Sequence, residues 1–230
     1  MENKLDHVKQ GLNMGKGILL IGGGGHCHSV LDSTCGHENY ERIGVVAKDE
    51  ADYEELLKDP LLAPYAIGTD AVLPDLYSKG WLDAFITLGS VGNTAGRRKI
   101  CSALLNIGFR LPAITDKSAI ISSQSLIRDG VYIGKHAVVN AGSEIGCCSI
   151  INTGAIVEHD CNLGSFCHAS PGAVLCGNVI IGDNSHIGAG AVVRQGIKIG
   201  KNTLIGAGSV VVKDIPDGVK AFGNPCRVVE

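Results

Sequence analysis

The pattern of hydrophobic positions divides the chain in two. From Ile121 a large aliphatic residue returns at every sixth position: Ile121, Ile127, Ile133, Val139, Ile145, Ile151, Val157, Leu163, Leu175, Ile181, Ile187, Val193, Ile199, Ile205 and Val211. Ala169 is the one small residue in this series, and no insertion or deletion breaks the register. A second column lies four residues later and is mostly small: Ser125, Val131, Ala137, Ser143, Ser149, Ala155, Cys161, Cys167, Ala173, Val179, Ser185, Ala191, Ile197, Thr203 and Ser209. Glycine often follows the aliphatic position, as at Gly134, Gly146, Gly164, Gly182, Gly188, Gly200 and Gly206. A period of six is a multiple of the two-residue strand period, so each repeat holds one short extended side. Small or glycine residues permit a tight turn between sides. Three sides close a triangular coil of eighteen residues, with the aliphatic residue inside and the small one beside it. Successive coils stack at the parallel-strand spacing of roughly 4.8 Å. The pattern predicts a parallel β-helix over 113–213, then a cap or tail over 214–230 that contains Pro216 and Pro225.

Residues 1–112 follow another rhythm. Gly17 to Ile21 is a short apolar run, Gly22 to Gly25 is all glycine, His26 to Ser33 opens a helix, and Arg42 to Val46 is a second strand. This βαβ opening puts a glycine-rich turn at a helix N-terminus, which suits a phosphate. It is not a dinucleotide fingerprint. Gly22 and Gly24 fit, but Cys27 takes the third glycine place, and Ala47-Lys48 follows the second strand where an acid is expected. The pyrophosphate of a nucleotide sugar fits better than NAD, and a purely structural turn is the alternative. Ala84 to Leu88 is a second buried strand, Gly89 to Thr94 its turn, and Arg97 to Gly108 a helix with Arg97, Arg98 and Lys99 in its first turns. Positive charge there opposes the helix dipole unless an anion sits nearby; otherwise it is a solvated face. This Rossmann-like unit is expected to cover one open end of the prism, because exposed strand edges need covering.

Composition narrows the picture. Glycine is abundant, at 32 residues, and aromatics make up only 4%. The core must be built from Ile, Val, Leu and Ala, which suits a narrow, regular interior. A net charge of −3 provides no basic field for nucleic acid. Nine cysteines occur without a paired CxxC framework, and Met1 to Gln10 is charged and polar. These features point to reduced thiols in a cytoplasmic protein, and Ile18 to Ile21 is far too short to span a bilayer.

Four histidines fall in the repeat: His136, His159, His168 and His186. His159 is the strongest candidate base. It sits on a turn between Glu158 and Asp160, where a carboxylate can orient the imidazole and raise its basicity. The alternative is a surface histidine in a charged turn. Gly177 lies eighteen residues beyond His159 and therefore stacks above it. His168 lies nine residues away, half a coil, so the two histidines occupy opposite sides of one prism. If both serve one reaction, they must come from different subunits. His168 and His186 stack, which suits a metal or a plain histidine ladder. The close histidine pair of a metal site is missing from the repeat, and adjacent His26-Cys27-His28 point in different directions; no metal is expected. Cys161 and Cys167 fall in the inward column and belong to the core.

Together these features resemble the hexapeptide-repeat acyltransferases, whose repeat forms a left-handed β-helix. Handedness follows from the resemblance alone, since general sterics favour right-handed crossovers. More closely, the chain resembles the bacterial sugar acetyltransferases that join a Rossmann-like domain to that helix. These include the N-acetyltransferases of UDP-linked 4-amino-4,6-dideoxy sugars and the family named for sialic acid O-acetylation. The resemblance covers nearly everything after about Gly15 and is carried by Gly22 to His26, Gly92-Asn93 and Ile151 to Asp160. It implies an α/β N-terminal domain followed by an all-β helix, acetyl-CoA as co-substrate, and a homotrimer with CoA between adjacent subunits. It also implies residue roles. Gly24, Gly25 and His26 hold the nucleotide sugar, with Gly92 and Asn93 on the substrate side and Asn152 near the acceptor. His159 is the base, tuned by Asp160, and the Gly177 amide meets the thioester oxygen. His168, Ala189 and Ala207 contact CoA. Ala47-Lys48 departs from the family, whose acid at this place recognises the nucleotide. Transfer to an amine in glycan or surface polysaccharide synthesis is the leading reading. Transfer to a sugar hydroxyl and a non-catalytic, sugar-nucleotide-binding or scaffolding trimer are the alternatives.

Overall fold

The computed structural model describes residues 15–35 and 40–229. The chain opens as β1 (Gly17–Ile21), α1 (Gly25–Cys35), β2 (Arg42–Ala47), α2 (Glu50–Leu56), β3 (Ala66–Thr69), α3 (Leu73–Ser78), β4 (Asp83–Ile86) and α4 (Ala95–Ile107). The four strands form one parallel sheet in the order β3-β2-β1-β4. β1 is central and buried on both faces, as a continuous apolar run in a parallel sheet requires. Its alternate residues serve two cores. Ile18 and Leu20 pack with Cys27, Val30 and Leu56; Leu19 and Ile21 pack with Leu73 and Leu104. Asp49 caps α2 by accepting from the Asp52 amide at 3.0 Å, and α4 ends at Gly108 with φ +113°.

The repeat then builds a three-sided prism of two-residue strands, with faces of eight, six and five strands. Each strand pairs with the one eighteen residues on, as Ile150–Ile151 does with His168–Ala169. The predicted inward aliphatics lie inside: from Ile133 to Val211 none is more than 2% exposed. The polar members of the small column are satisfied within the wall. Ser149 Oγ donates to the Gly164 carbonyl and accepts from the Cys167 amide. Ser185 does the same with Gly200 and Thr203. One residue per corner adopts a left-handed backbone, every sixth position from Gly130 to Gly208, with φ between +54° and +73°. Seven of these are not glycine, among them Asp160 and Phe166. Each such residue costs on the order of 1–2 kcal/mol, least for Asn and Asp.

The tail closes the far end. Ile215 bridges to Ile199, Lys220–Phe222 continues the eight-stranded face in parallel, and Arg227–Val228 turns back against it. Ile215, Ala221 and Cys226 join the prism core.

The N-terminal unit does not cap the open end, contrary to expectation. It packs on the side of the prism, against the eight-stranded face. The reason is that this face has large apolar residues pointing outward in its first coils. Ile114, Tyr132 and Ile150 are at most 3% exposed and share a core with Ile18, Val30 and Phe85. A polar clamp fixes α1 there: Ser33 Oγ donates to Asp116 at 2.6 Å, and Lys135 pairs with both Asp32 and Asp116. Burial alone would raise the Asp116 carboxyl, but hydrogen bonds from Ser118, Ser33 and Lys135 hold it well below the usual range. No helix among the described residues is long and apolar enough to cross a membrane.

The inward column should dominate stability. Ile187→Ala removes a side chain 1% exposed and is expected to cost about 2–5 kcal/mol in denaturant unfolding. Ile180→Ala, on an outward position 43% exposed, should cost less than about 1 kcal/mol. Equal losses would contradict this packing.

Candidate active site

The candidate residues gather at two edges of the prism. The first is the corner between the six- and five-stranded faces, where strand Ile156–Val157 turns into Asn162–Leu163. His159 Nδ1 lies 2.8 Å from Asp160 Oδ2. A carboxylate only accepts, so Nδ1 carries a proton, and in the neutral ring Nε2 holds the lone pair. That lone pair lies over Gly177. A Cβ built at Gly177 would stand 2.5 Å from His159 Nε2, so glycine is there for space. The amides of its neighbours Cys176 and Asn178 are bonded to the carbonyls of Val193 and His159. Asp160 takes the left-handed corner conformation at φ +57°. The side chains of His159 and Asp160 are about half exposed, at 52% and 59%. This corner therefore offers an oriented proton acceptor on an open surface.

The second edge lies where the N-terminal sheet meets the eight-stranded face. Gly22, Gly23 and Gly24 line a cleft of about 450 Å³ at the carboxyl ends of the strands. A Cβ at Gly24 or Gly25 would meet nothing within 4 Å, so this turn is open. α1 begins there with no acidic residue in its first turn, which suits an anion at its N-terminus. His26, in that turn, packs edge-on to the Tyr132 ring at 5.2 Å. Burial and the Arg97 charge push its imidazole down to about 4.

His168 is covered by its own chain. Its Nδ1 is 3.1 Å from the Ser90 carbonyl, so Nδ1 donates, and Nε2 accepts from the Asn152 amide at 3.2 Å. Asn152 Oδ1 accepts from the Thr153 amide at 2.8 Å, leaving one amide hydrogen of Asn152 unassigned. Burial, His186, Arg97 and His26 together push His168 down to about 3, against the Ser90 contact. His186 stands edge-on to it at 4.9 Å and bonds Ser170 at 3.1 Å. Gly92 and Asn93 pin the loop before α4. Gly92 lies against Leu204 at φ +68°, Asn93 accepts from the Ala95 amide, and Thr94 donates to Asn184. Ala189 and Ala207 are exposed and stack on the corner above Asn152.

Arg97 carries a role that the sequence hides. The run Arg97-Arg98-Lys99 gives no sign that its members differ, yet Arg98 and Lys99 are exposed while Arg97 is 2% exposed. Its guanidinium donates to the Cys148 carbonyl and reaches Ser90 Oγ at 3.5 Å. It thereby ties the loop that holds His168 to the prism. Tyr132, the platform under His26, was equally hidden, because it occupies an ordinary outward strand position.

Comparison with known proteins follows the same division. The family of bacterial transferase hexapeptide repeats matches residues 160–195 and 178–213. The crystal structure of a histidine-to-asparagine variant of perosamine N-acetyltransferase from Caulobacter crescentus, in complex with CoA and GDP-perosamine, superposes with a TM-score of 0.84. It is 35% identical, over 93% of this chain and 97% of that one. The acetyltransferase domain of PglB from Neisseria gonorrhoeae is also 35% identical, over 93% and 100% of the two chains, with a TM-score of 0.84. WeeI from Acinetobacter baumannii is 26% identical, over 92% and 99%, with a TM-score of 0.78.

The buried imidazoles have a measurable consequence. His26 and His168 titrate near 4 and 3 when folded, against 6.5 ordinarily. Between those values the unfolded chain binds more protons, so stability should be full above about pH 6.5 and fall as pH drops below it. Histidine ring resonances should show His168 neutral at pH 5. Protonation of His168 with a midpoint near 6.5 would refute its burial behind Ser90.

Proposed function

Because the chain belongs to the hexapeptide-repeat sugar acetyltransferases, built on a left-handed β-helix, we propose that it acetylates the amino group of a nucleotide-linked sugar with acetyl-CoA. The observation that carries this reading is the His159–Asp160 dyad lying against Gly177. The neutral sugar amine attacks the thioester carbonyl, forming a C–N bond. His159 Nε2 takes the amine proton while Asp160 stabilises the imidazolium. The Gly177 amide receives the developing oxyanion. Collapse of the tetrahedral intermediate breaks the C–S bond, and the CoA sulfur leaves with the proton that His159 returns. The nucleotide pyrophosphate rests on the turn at Gly24 and Gly25, beside His26. Asn152 directs its remaining amide hydrogen to the acceptor sugar. Ala189 and Ala207 form the smooth edge along which the CoA arm lies. His168 acts from beneath, fixing the Asn152 amide. Gly92 and Asn93 act as pins for the adjoining loop.

A homotrimer completes the site. The dyad stands on the corner between the six- and five-stranded faces, while Asn152, Ala189 and Ala207 stand on the corner between the eight- and six-stranded faces. One chain holds these corners apart. The six-stranded face between them presents an unbroken outward column of Ile120, Val138, Ile156, Val174, Val192 and Val210, and Ile120 is 67% exposed. The outward column of the five-stranded face, by contrast, includes Glu144, Asn162 and Lys198. Contiguous apolar surface of this kind is an interface. Three chains packed through these faces around a three-fold axis set each dyad corner against the neighbour's Asn152 corner. CoA then lies in the seam between them. The unpaired cysteines agree with a cytoplasmic enzyme.

Two experiments test this reading. In an acetyl-CoA assay against nucleotide-linked amino sugars, His159→Ala should lower kcat by about 10²–10⁴-fold with little change in KM for acetyl-CoA; unchanged turnover would remove the base assignment. The pair Val174→Glu and Val192→Glu should yield folded monomers by light scattering and abolish turnover. An active monomer would remove the composite site.

A further inference from the structure

Two of the nine cysteines stand in contact across the seam between the N-terminal unit and the prism. Cys101 Sγ, in α4, lies 3.8 Å from Cys148 Sγ, on the corner between the five- and eight-stranded faces. The helix grips Cys148 by its main chain as well. Arg97 lies one turn before Cys101 on the same face of α4, and its guanidinium donates to the Cys148 carbonyl.

On backbone grounds Cys148 is an unfavourable choice for its place. This corner column takes the left-handed conformation at Gly130, Cys148, Phe166, Asn184 and Asn202. Glycine and asparagine adopt it at least cost. Cys148 and Phe166 are the two exceptions, and a side chain that reaches α4 is what they have in common. Phe166 shares a hollow with Arg98, Lys99 and Cys101. Gly130, one coil below, gives the Cys148 thiol its room: a Cβ there would stand 2.8 Å from the sulfur.

The two thiols differ in access. Cys148 is 2% exposed, whereas Cys101 is half-buried. Cys101 opens to the hollow beside Phe166 and to a cleft of about 630 Å³ that Cys147 and Cys148 also line. Burial pushes the Cys148 thiol up to about 12, so it stays protonated and an oxidant meets Cys101 first. The seam stands opposite the six-stranded face, and the proposed trimer leaves it open.

We propose that Cys101 and Cys148 form a reversible disulfide, made by a hydroperoxide, that staples α4 to the prism. The Cys101 sulfur attacks one peroxide oxygen, the O–O bond breaks, and Cys101 becomes a sulfenic acid as one water leaves. The Cys148 sulfur then attacks the Cys101 sulfur. The S–S bond forms, the S–O bond breaks, and the second water departs with the Cys148 proton. Two thiols lose two electrons and two protons, and the peroxide takes them up. A small dithiol reverses the step by exchange. Transient, redox-sensing disulfides of this kind are compatible with a reducing cytoplasm.

The test uses the full-length protein, treated with hydrogen peroxide and then alkylated. Trypsin with a glutamate-specific protease releases fragments 100–110 and 145–158, whose only cysteines are Cys101 and the pair Cys147 and Cys148. Mass spectrometry should show the two fragments joined, two hydrogens lighter than their sum and separated by reduction. Cys147→Ser should keep the link, and Cys101→Ser and Cys148→Ala should lose it. Cys147 is exposed, so its variant identifies the partner even where Cys148→Ala fails to fold. Oxidation should raise the melting temperature by at least about 4 °C, and not in Cys101→Ser. Loss of the link in Cys147→Ser, sulfinic acid on Cys101 in place of a link, a link between chains, or an unmoved melting temperature would each overturn the staple.

Discussion

Closure of an eighteen-residue coil around a single column of aliphatic side chains is the constraint on which everything else depends. Each corner must place its inward residue over the one below, at the parallel-strand spacing of roughly 4.8 Å. A one-residue slip would turn the aliphatic set outward, so the register is strict from Ile133 to Val211. The cost appears at the corners, where seven residues other than glycine hold a left-handed backbone. That strain is tolerated because coils above and below over-determine each corner. The same rigidity makes a corner a good place for chemistry: Asp160 is held at φ +57°, and its carboxylate meets His159 without any loop having to order.

The prism also determines what a single chain cannot do. Its faces have distinct outward chemistry, one covered by the N-terminal sheet, one mixing Leu126 and Ile180 with Glu144, Asn162 and Lys198, and one aliphatic throughout. The two half-sites flank the aliphatic face. In the proposed trimer, burying that face against another copy and completing the site are therefore one event. Under this arrangement assembly and catalysis share the same apolar column, although no residue of that column touches substrate.

Much of the fold and part of the site were legible in the sequence, for a reason that the exceptions clarify. Period-eighteen arithmetic is geometry written directly into residue numbers, so the inward column, the stacking of Gly177 over His159 and the separation of His159 from His168 could be read without coordinates. Contacts between the sheet and the prism follow no such arithmetic. Tyr132 and Ile150 occupy outward positions like any others, and only the sheet packed on them makes them core. The side-on docking therefore has no signature in the repeat. Arg97 was hidden because burial separates it from Arg98 and Lys99 by tertiary packing alone. His168 could be placed on the correct side of the prism, but its cover by Ser90 depends on a loop 78 residues earlier.

The divided legibility mirrors a division of labour. In the proposed reaction the prism supplies the proton acceptor and the edge for CoA, and its repeat leaves little freedom to vary either. The sheet would recognise the acceptor from strand ends, where a residue can change without disturbing the register of any coil. The residues after β2 illustrate the point. Lys48 is exposed just after β2, where the related family has an acid, and no coil of the prism depends on it. Substrate choice can thus change on the sheet while the chemistry on the prism remains the same.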